Sequence, residues 1–130
     1  MIKKIIKQLI ILLLVITSLI VSAQPVRAEI YTVKMGTDKG ELKFIPETLT
    51  IKPGNTVKFV MNKLAPHNVI FWRVPNGDSS LAKKLSNSRL MFTSGQSYIT
   101  KFPKDSPTGE YDYYCQPHRG AGMSAKIIVE

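Results

Sequence analysis

The amino-acid sequence predicts an all-β fold, a Greek-key antiparallel β-sandwich of about eight short strands with one short helix. Three observations support this prediction. From residue 29 onward, apolar and polar residues alternate in short runs, as they do in strands with one buried face. Turn signals such as "TDKG", "KPGN" and "PKDSPTG" separate the runs. Several runs, "HNVIFWRV" above all, are rich in the β-branched and aromatic residues that suit a pleated surface.

Residues 1–28 have the pattern of a cleaved secretory signal peptide. Three lysines in the first seven residues form a basic start, the apolar run "LIILLLVITSLIVSA" follows, and small residues precede a cut. Cleavage after Ala28 is the preferred interpretation, and cleavage after Ala23 is the second. An uncleaved membrane anchor is the rival interpretation, although the uninterrupted apolar segment is shorter than the roughly 20 residues of a spanning helix. Residues 29–130 would then be the mature domain.

Charge and cysteine content narrow the functions open to this domain. The chain has 18 basic and 9 acidic residues, but four of the basic residues precede residue 29, so the charge falls from +9 to about +5. Charge is the only feature that suggests nucleic-acid binding, and no recognised motif accompanies it. Cys115 is the only cysteine and cannot form an internal disulfide. After export it is a buried thiol, half of an intermolecular disulfide, or a metal ligand.

The strand patterns follow one another with a single helical interruption. In "SSLAKKLS", Leu81 and Leu85 are four residues apart behind a serine that would cap the helix. No internal repeat or second domain is recognised, so one sandwich is expected. The runs assigned to strands are "EIYTVKMG", "ELKFIP", the two halves of "ETLTIKPGNTVKFVMN", "HNVIFWRV", "RLMFT", "QSYITKF", "EYDYYC" and "MSAKIIVE".

The strand "EYDYYC" predicts where the cysteine points. With a period of two, Tyr111, Tyr113 and Cys115 share one face, and Asp112 and Tyr114 share the other. Because the charged Asp112 is expected on the solvent-facing side of the strand, the cysteine is expected to point inward at its end. It would therefore lie at the mouth of the sandwich.

Four side chains form a candidate metal site. Cys115, His118 and Met123 lie within nine positions in "CQPHRGAGM", and His67 begins the strand "HNVIFWRV". Each of the four has an ordinary structural explanation taken alone, since a buried Cys is usually a small hydrophobe. Together, one thiolate, two imidazoles and a thioether are the donor set of an electron-transfer copper site. Structural zinc takes four Cys or His ligands, and this chain has only three such residues, so copper is preferred.

The chain from residue 29 to 130 resembles the plastocyanin family of blue copper proteins, and therefore the cupredoxin-like fold. The segments "PHNVIF", "FTSGQSY" and "FPKDSPTGEYDYYCQPHRGAGM" follow the order and spacing of the family, and "YCQPHRGAGM" is highly specific for it. The basic "PHRGAGM" version and the bacterial-style export signal resemble the cyanobacterial branch.

The resemblance implies one copper ion that cycles between its cuprous and cupric states, in an electron carrier that is not an enzyme. His67, Cys115 and His118 would form the strong trigonal ligand set, with Met123 as a long axial ligand. Asn68 would brace the two ligand loops and hydrogen-bond toward the sulfur of Cys115.

The resemblance also implies a surface for electron-transfer partners around His118. Small apolar residues there would let the cofactor of a partner come close, which suits weak and brief encounters. Pro66 belongs to this patch and also stiffens the loop before His67. The positions of the patch are Leu42, Pro66, Gly120, Ala121 and Gly122.

Three larger side chains near the site have open interpretations. Tyr114 is either a second, lateral electron route or an ordinary exposed strand tyrosine. Arg119 either steers acidic partners or is a solvated loop residue. Plant members of the family follow "HNV" with an acidic run, whereas this chain has "FWRVPNGDSSLAKKL", so docking through an acidic patch is not expected. For Trp72, half-buried packing is favoured over an interaction anchor.

By the same resemblance, the expected role is photosynthetic electron transport in the thylakoid lumen, from cytochrome f to photosystem I, by a monomer that meets both partners transiently. A small cupredoxin serving a respiratory oxidase or reductase is the alternative. A copper oxidase or nitrite reductase needs further histidines, and both histidines are already used. A copper-storage or chaperone protein would favour more exposed ligands.

Overall fold

The computed structural model describes residues 1–21 and 27–130, with side chains described for 1–15 and 27–130. Two β-sheets pack face to face and confirm the predicted all-β sandwich. The helices are α1 (Ile2–Val21) and α2 (Ser79–Leu85). The strands are β1 (Ile30–Met35), β2 (Phe44–Ile45), β3 (Thr48–Ile51), β4 (Thr56–Met61), β5 (His67–Arg73), β6 (Asn87–Met91), β7 (Ser97–Lys101), β8 (Gly109–Tyr114) and β9 (Ser124–Val129).

The two sheets are mixed rather than purely antiparallel, which corrects the prediction in this detail. One sheet has the strand order β2-β1-β4-β7 and the other has β3-β9-β8-β5-β6. Strand β1 pairs in parallel with β4, and β3 pairs in parallel with β9. Because the chain crosses to the second sheet at β3 before it returns at β4, β4 runs in the same direction as β1. All other pairings in the described part of the chain are antiparallel.

The core lies between the sheets and contains the inward faces predicted from the alternation. In β8, Tyr111 and Tyr113 are fully buried, and four phenylalanines surround them. The ring of Tyr113 contacts three of these rings at centroid distances of 4.8–5.3 Å. These aromatic side chains fill the core along β8, and the group around Tyr113 lies two residues before Cys115. The four phenylalanines are Phe44, Phe59, Phe71 and Phe102.

The outer face of β8 is less exposed than the sequence pattern predicts. Asp112 lies on that face but is only 8% exposed. The Nε–H of Arg73 donates a hydrogen bond to the Asp112 carboxylate, and the arginine side chain covers it. Asp112 therefore marks the outer face correctly, but it is a covered ion-pair partner and not a solvated residue.

Helix α2 forms where it was predicted, but a different residue caps it. Asp78 is the N-cap residue, and its carboxylate accepts a hydrogen bond of 3.1 Å from the backbone N–H of Leu81. The predicted serine cap is therefore wrong, because the carboxylate precedes the serine pair and also suits the positive end of the helix. Leu85 is buried and Leu81 packs against the core.

The N-terminal segment forms α1, whose described side chains are exposed. No helix in the described residues is long and apolar enough to span a membrane. Cleavage of residues 1–28 remains a prediction. The alternative cut after Ala23 lies outside the described residues, and Ala28 lies in an exposed stretch before β1.

Candidate metal centre

Three of the four predicted ligands come together at one end of the sandwich. His67 is the first residue of β5, and Cys115 directly follows β8. His118 lies in the short 3₁₀ turn Gln116–Ala121, which connects β8 toward β9. Strands β5 and β8 are adjacent and antiparallel, so the start of one lies beside the end of the other. This pairing brings residues 67 and 115 together although 48 positions separate them.

The donor atoms of these three residues are spaced as ligands of one metal ion. The Sγ atom of Cys115 is 3.5 Å from the Nδ1 atom of His67 and 3.5 Å from the Nδ1 atom of His118. All three donor atoms lie within 4.8 Å of one another. Three donors arranged in a triangle around one ion, each about 2 Å from it, are about 3.5 Å from one another. The spacing therefore fits a single mononuclear site.

The ring of His67 is oriented by the main chain. Its Nε2 atom lies 2.6 Å from the carbonyl oxygen of Lys63, which can only accept a hydrogen bond. The proton is therefore on Nε2, and the lone pair of Nδ1 faces the sulfur of Cys115. Burial lowers the pKa of His67 below its ordinary value of 6.5, the Lys63 carbonyl opposes this shift, and His118 adds to it. The imidazole is thus held neutral, which is the form that binds metal.

Cys115 is fully buried, and two backbone groups approach its sulfur. Burial raises the pKa of the Cys115 thiol above its ordinary value, and hydrogen bonds from the backbone N–H groups of Asn68 and His118 oppose this shift. In a metal-free protein the thiol is therefore the favoured form near neutral pH. A bound metal ion would favour the thiolate, and the same two N–H groups would then stabilise its charge.

Asn68 connects the two segments that carry the candidate ligands. Its Oδ1 atom accepts a hydrogen bond of 2.8 Å from the backbone N–H of Gln116. Its Nδ2 group donates to the carbonyl of Ser88 at 3.2 Å and to Oε1 of Gln116 at 3.3 Å. The structure thus places the side chain between the two segments, while the contact with the sulfur comes from the backbone of Asn68 and not from its amide.

Met123 is fully buried immediately before β9. Its carbonyl accepts a hydrogen bond of 3.0 Å from the N–H of Cys115, and its own N–H donates to the carbonyl of His118 at 3.2 Å. Gly122 has a φ of 84°, a left-handed conformation that reverses the chain between His118 and Met123. The backbone therefore holds Met123 next to both neighbouring ligand candidates.

The predicted partner patch is partly open to solvent. Leu42 and Pro66 are half-buried, as is His118 itself, and residues 120–122 are exposed. Two larger apolar side chains at this end were missed by the sequence analysis: Leu64, 48% exposed, and Phe92, 63% exposed. Their proximity to the site follows from tertiary structure, because Phe92 directly follows Met91, the pairing partner of His67. The only signals in the sequence were Leu64, an apolar residue in the loop before Pro66, and Phe92 at the end of the predicted strand "RLMFT".

The three larger side chains near the site form one cluster. The guanidinium carbon of Arg119 lies 4.0 Å from the ring centroid of Tyr114 and 5.7 Å from that of Trp72. Trp72 is 52% exposed, and Tyr114 is half-buried. The indole is thus about half-buried and lies against Arg119, so the choice between half-buried packing and an interaction anchor stays a prediction.

A family comparison agrees with the fold and with the donor set. Residues 31–130 match the model of the copper-binding proteins of the plastocyanin/azurin family. The chain belongs to this family.

Among the members of this family, plastocyanins are similar to this chain over most of its length. A plastocyanin of Nostoc punctiforme is 49% identical over 92% of this chain and 87% of its own length. A plastocyanin of Synechococcus sp. (strain JA-2-3B'a(2-13)) is 52% identical over 94% of this chain and 90% of its own length. Among solved structures, the oxidised plastocyanin of Dryopteris crassirhizoma superposes with a TM-score of 0.66 at 30% identity, covering 76% of this chain and 99% of that chain. Amicyanin from Paracoccus versutus gives 0.57 at 30% identity, covering 84% and 87%.

Fold, donor chemistry and family together define a copper protein of the electron-transfer class and not an enzyme. The donor set has one thiolate and two imidazoles, with a thioether residue held beside them. This set suits a single copper ion that alternates between its cuprous and cupric states. The class of protein and the cofactor inferred from the sequence are therefore confirmed.

Proposed function

We propose that this chain carries single electrons from cytochrome f to photosystem I in the thylakoid lumen. The observation that carries the proposal is the buried Cys115 sulfur lying 3.5 Å from the Nδ1 atoms of both histidines, within a chain about half identical to proteins named plastocyanin. A related protein of Chlamydomonas reinhardtii, 46% identical over 76% of this chain, is named a chloroplastic plastocyanin. This name supports a lumenal site of action.

Within this proposal, His67, Cys115 and His118 would hold the copper ion, and Met123 would supply a fourth, weaker donor. Bound copper would supply reversible one-electron oxidation at this site. The chain keeps water away from the site by burying three of the four side chains, and it holds their positions through the hydrogen bonds of Lys63 and Asn68. A site that is held rigid reorganises little when an electron arrives or leaves.

The partly exposed His118 is the proposed point of electron exchange. His118 is half-buried, as are Leu42 and Pro66 of the predicted patch, and residues 120–122, which follow it closely in the chain, are exposed. Small residues there permit a close approach by a partner, and a small apolar contact suits weak, short-lived complexes. Tyr114 is covalently next to Cys115 and half-buried, which supports a second, lateral route for electrons.

The ligand assignment is tested by absorption spectroscopy after cupric ion is added and then reduced. We expect the wild-type protein to show an intense thiolate-to-copper absorption that disappears on reduction. Cys115→Ser removes this absorption, and His67→Ala destroys the normal site. The exposed substitution Lys101→Gln is the control and leaves the spectrum unchanged. An unchanged blue spectrum in either ligand variant contradicts the assignment.

The proposed partners are tested by rapid kinetics. We expect reduced cytochrome f to reduce the cupric protein, and photosystem I to oxidise the cuprous protein after a light flash. Both reactions should slow as salt rises if the partner surfaces are acidic, because screening weakens the attraction to a positively charged domain. Efficient exchange only with a respiratory oxidase would refute the photosynthetic assignment and support the alternative cupredoxin role.

A further inference from the structure

A stack of aromatic and cationic side chains lies beside the metal centre on the outer face of the five-stranded sheet. It consists of Trp72, Tyr114 and Arg119, and we call it the aromatic–arginine stack. The guanidinium of Arg119 is within cation–π distance of both rings, at 4.0 Å from Tyr114 and 5.7 Å from Trp72. Arg119 directly follows His118, and Tyr114 directly precedes Cys115. Two residues of the stack are therefore covalent neighbours of candidate ligands.

A β-bulge in β5 brings Arg73 onto the same surface as Trp72, which regular alternation after the buried Phe71 already directs outward. Phe71 pairs with Tyr113, and Arg73 pairs with Asp112, so Trp72 is an extra residue without a partner on β8. In a regular strand, Arg73 would share the buried face of Phe71. The bulge instead leaves Trp72 and Arg73 both exposed. Both side chains therefore project from the same outer surface, on either side of a local bend.

The two arginines of this surface have different ion-pair partners. Arg73 donates to the carboxylate of Asp112 and lies 4.0 Å from that of Glu110. Arg119 has no carboxylate within ion-pair distance among the residues that the structure describes. The guanidinium of Arg73 also lies 5.2 Å from the Trp72 ring, but its charge is largely compensated by the carboxylates. Arg119 lies beside both rings and presents an uncompensated charge to solvent.

We propose that Trp72 is a positioning residue: with Tyr114 it fixes Arg119 beside His118 and makes this face a docking surface for carboxylate groups on a protein electron-transfer partner. The inference rests on the proposed electron-carrier function. A free arginine loses side-chain freedom when it binds a carboxylate, whereas an arginine already held between rings loses less. The planar guanidinium keeps its edge N–H groups available while its faces are covered, so stacking and carboxylate binding are compatible.

Because of its location, the stack could orient a bound partner as well as attract it electrostatically. A carboxylate bound at Arg119 would lie one residue from His118 and beside Tyr114, the two proposed points of electron exchange. Docking there would orient a partner toward the metal centre. A positive charge elsewhere on the domain, such as Lys101 on the opposite sheet, could only raise the encounter rate.

The position of Arg119 can be measured directly in the reduced, copper-loaded protein. In nuclear magnetic resonance spectra, ring currents of the two aromatic residues should shift the Arg119 side-chain protons upfield. Trp72→Leu should move these protons toward the values of a free arginine, while Trp72→Phe should keep most of the shift. Trp72 is the only tryptophan in the chain, so its fluorescence in Arg119→Gln reports the same contact from the other side.

Docking is measured with two anionic probes that do not exchange electrons with copper. Paramagnetic hexacyanochromate(III) broadens the resonances nearest to it, and a hexaglutamate peptide competes with it as a carrier of carboxylates. We expect both to bind at residues 72, 114 and 119 of the wild-type protein. Arg119→Gln should weaken binding roughly tenfold at low salt. Trp72→Leu should weaken it about two- to fivefold, and Trp72→Phe less than twofold.

The control is Lys101→Gln, which removes the same charge from an exposed position on the other sheet. It should change probe affinity less than twofold. Wild-type affinity in Trp72→Leu, or an equal loss in Lys101→Gln and Arg119→Gln, would overturn the proposal. The blue absorption and the exchange with cytochrome f are recorded for each variant. Their absence in the wild type would refute the proposed function, whereas altered probe binding alone decides the role of Trp72.

Discussion

A Cβ atom added at Gly36 would lie 2.2 Å from the carbonyl oxygen of Lys63. That oxygen accepts the hydrogen bond from the Nε2–H group of His67. Gly36 adopts a φ of 85°, and its own carbonyl accepts a hydrogen bond from the Asn62 side chain. Gly36, in the loop after β1, therefore helps to set the orientation of His67, 31 positions later in the sequence, through the Lys63 carbonyl.

Gly36→Ala is expected to disturb the metal centre through this contact. The new methyl group must displace the Lys63 carbonyl, so the copper spectrum should change and the free energy of unfolding should fall by roughly 2–4 kcal/mol. Gly40→Ala is the matched control, because Gly40 has a similar φ of 83° but no atom within 4 Å of its added Cβ. It should cost about 1–2 kcal/mol and leave the spectrum unchanged. Equal effects on the spectrum would show that the Lys63 contact is unimportant.

Asn68→Ala is expected to loosen the connection between the two ligand segments. The backbone N–H of Gln116 loses its acceptor in a part-buried hydrogen bond, and the loss of such a bond costs about 0.5–1.5 kcal/mol. Chemical denaturation of the metal-free protein measures the loss, and the rate of copper release measures its effect on the site. Asn87→Ala serves for comparison, since the Asn87 side chain accepts a local hydrogen bond of 3.1 Å from the backbone N–H of Arg89 and connects no distant segments among the described residues. A similar small loss in both variants argues against the bracing role.

Tyr113→Phe is expected to stabilise the protein. The hydroxyl of Tyr113 is the buried side-chain oxygen without a hydrogen-bond partner in the described residues, and burial strongly raises its pKa. Removing it should add about 1 kcal/mol to the free energy of unfolding in urea. Tyr111→Phe is the paired test, because the Tyr111 hydroxyl donates a hydrogen bond of 2.7 Å to the Pro107 carbonyl. It should destabilise by about 1 kcal/mol. Destabilisation by both substitutions contradicts this prediction.

The stability of the metal-free protein should fall on both sides of neutral pH. Burial lowers the pKa of His67, so the unfolded chain takes up a proton near pH 6.5 while the folded chain does not. Stability should therefore decrease as pH falls from 6.5 toward the folded pKa. Burial raises the pKa of Cys115, so its contribution is present below pH 9.0 and is lost as pH rises through the folded value.

Urea denaturation between pH 5 and pH 10 measures this profile. Cys115→Ser should remove the part of the alkaline loss that comes from the thiol and leave the acid limb in place. An alkaline limb of unchanged size in Cys115→Ser would show that the thiol does not cause it.

The sequence alone determined the elements and the chemistry of this protein. Alternation with a period of two predicted the buried faces of β1 and β8, because that period is a local property of extended chain. Turn residues predicted the breaks between strands. The nine-residue stretch from Cys115 to Met123 already contains three donors in one loop, so its resemblance to a copper-binding motif could be recognised without coordinates.

Tertiary structure alone decided how separated segments meet. The parallel pairing of β1 with β4 depends on a crossover between sheets, which no local pattern encodes. The approach of His67 to Cys115, the orientation of the His67 ring by Lys63 and the cover of Asp112 by Arg73 all join distant positions. The bulge that exposes Arg73 beside Trp72 exists only as a mismatch between two paired strands, and the approach of the indole to Arg119 joins two further segments that are distant in sequence.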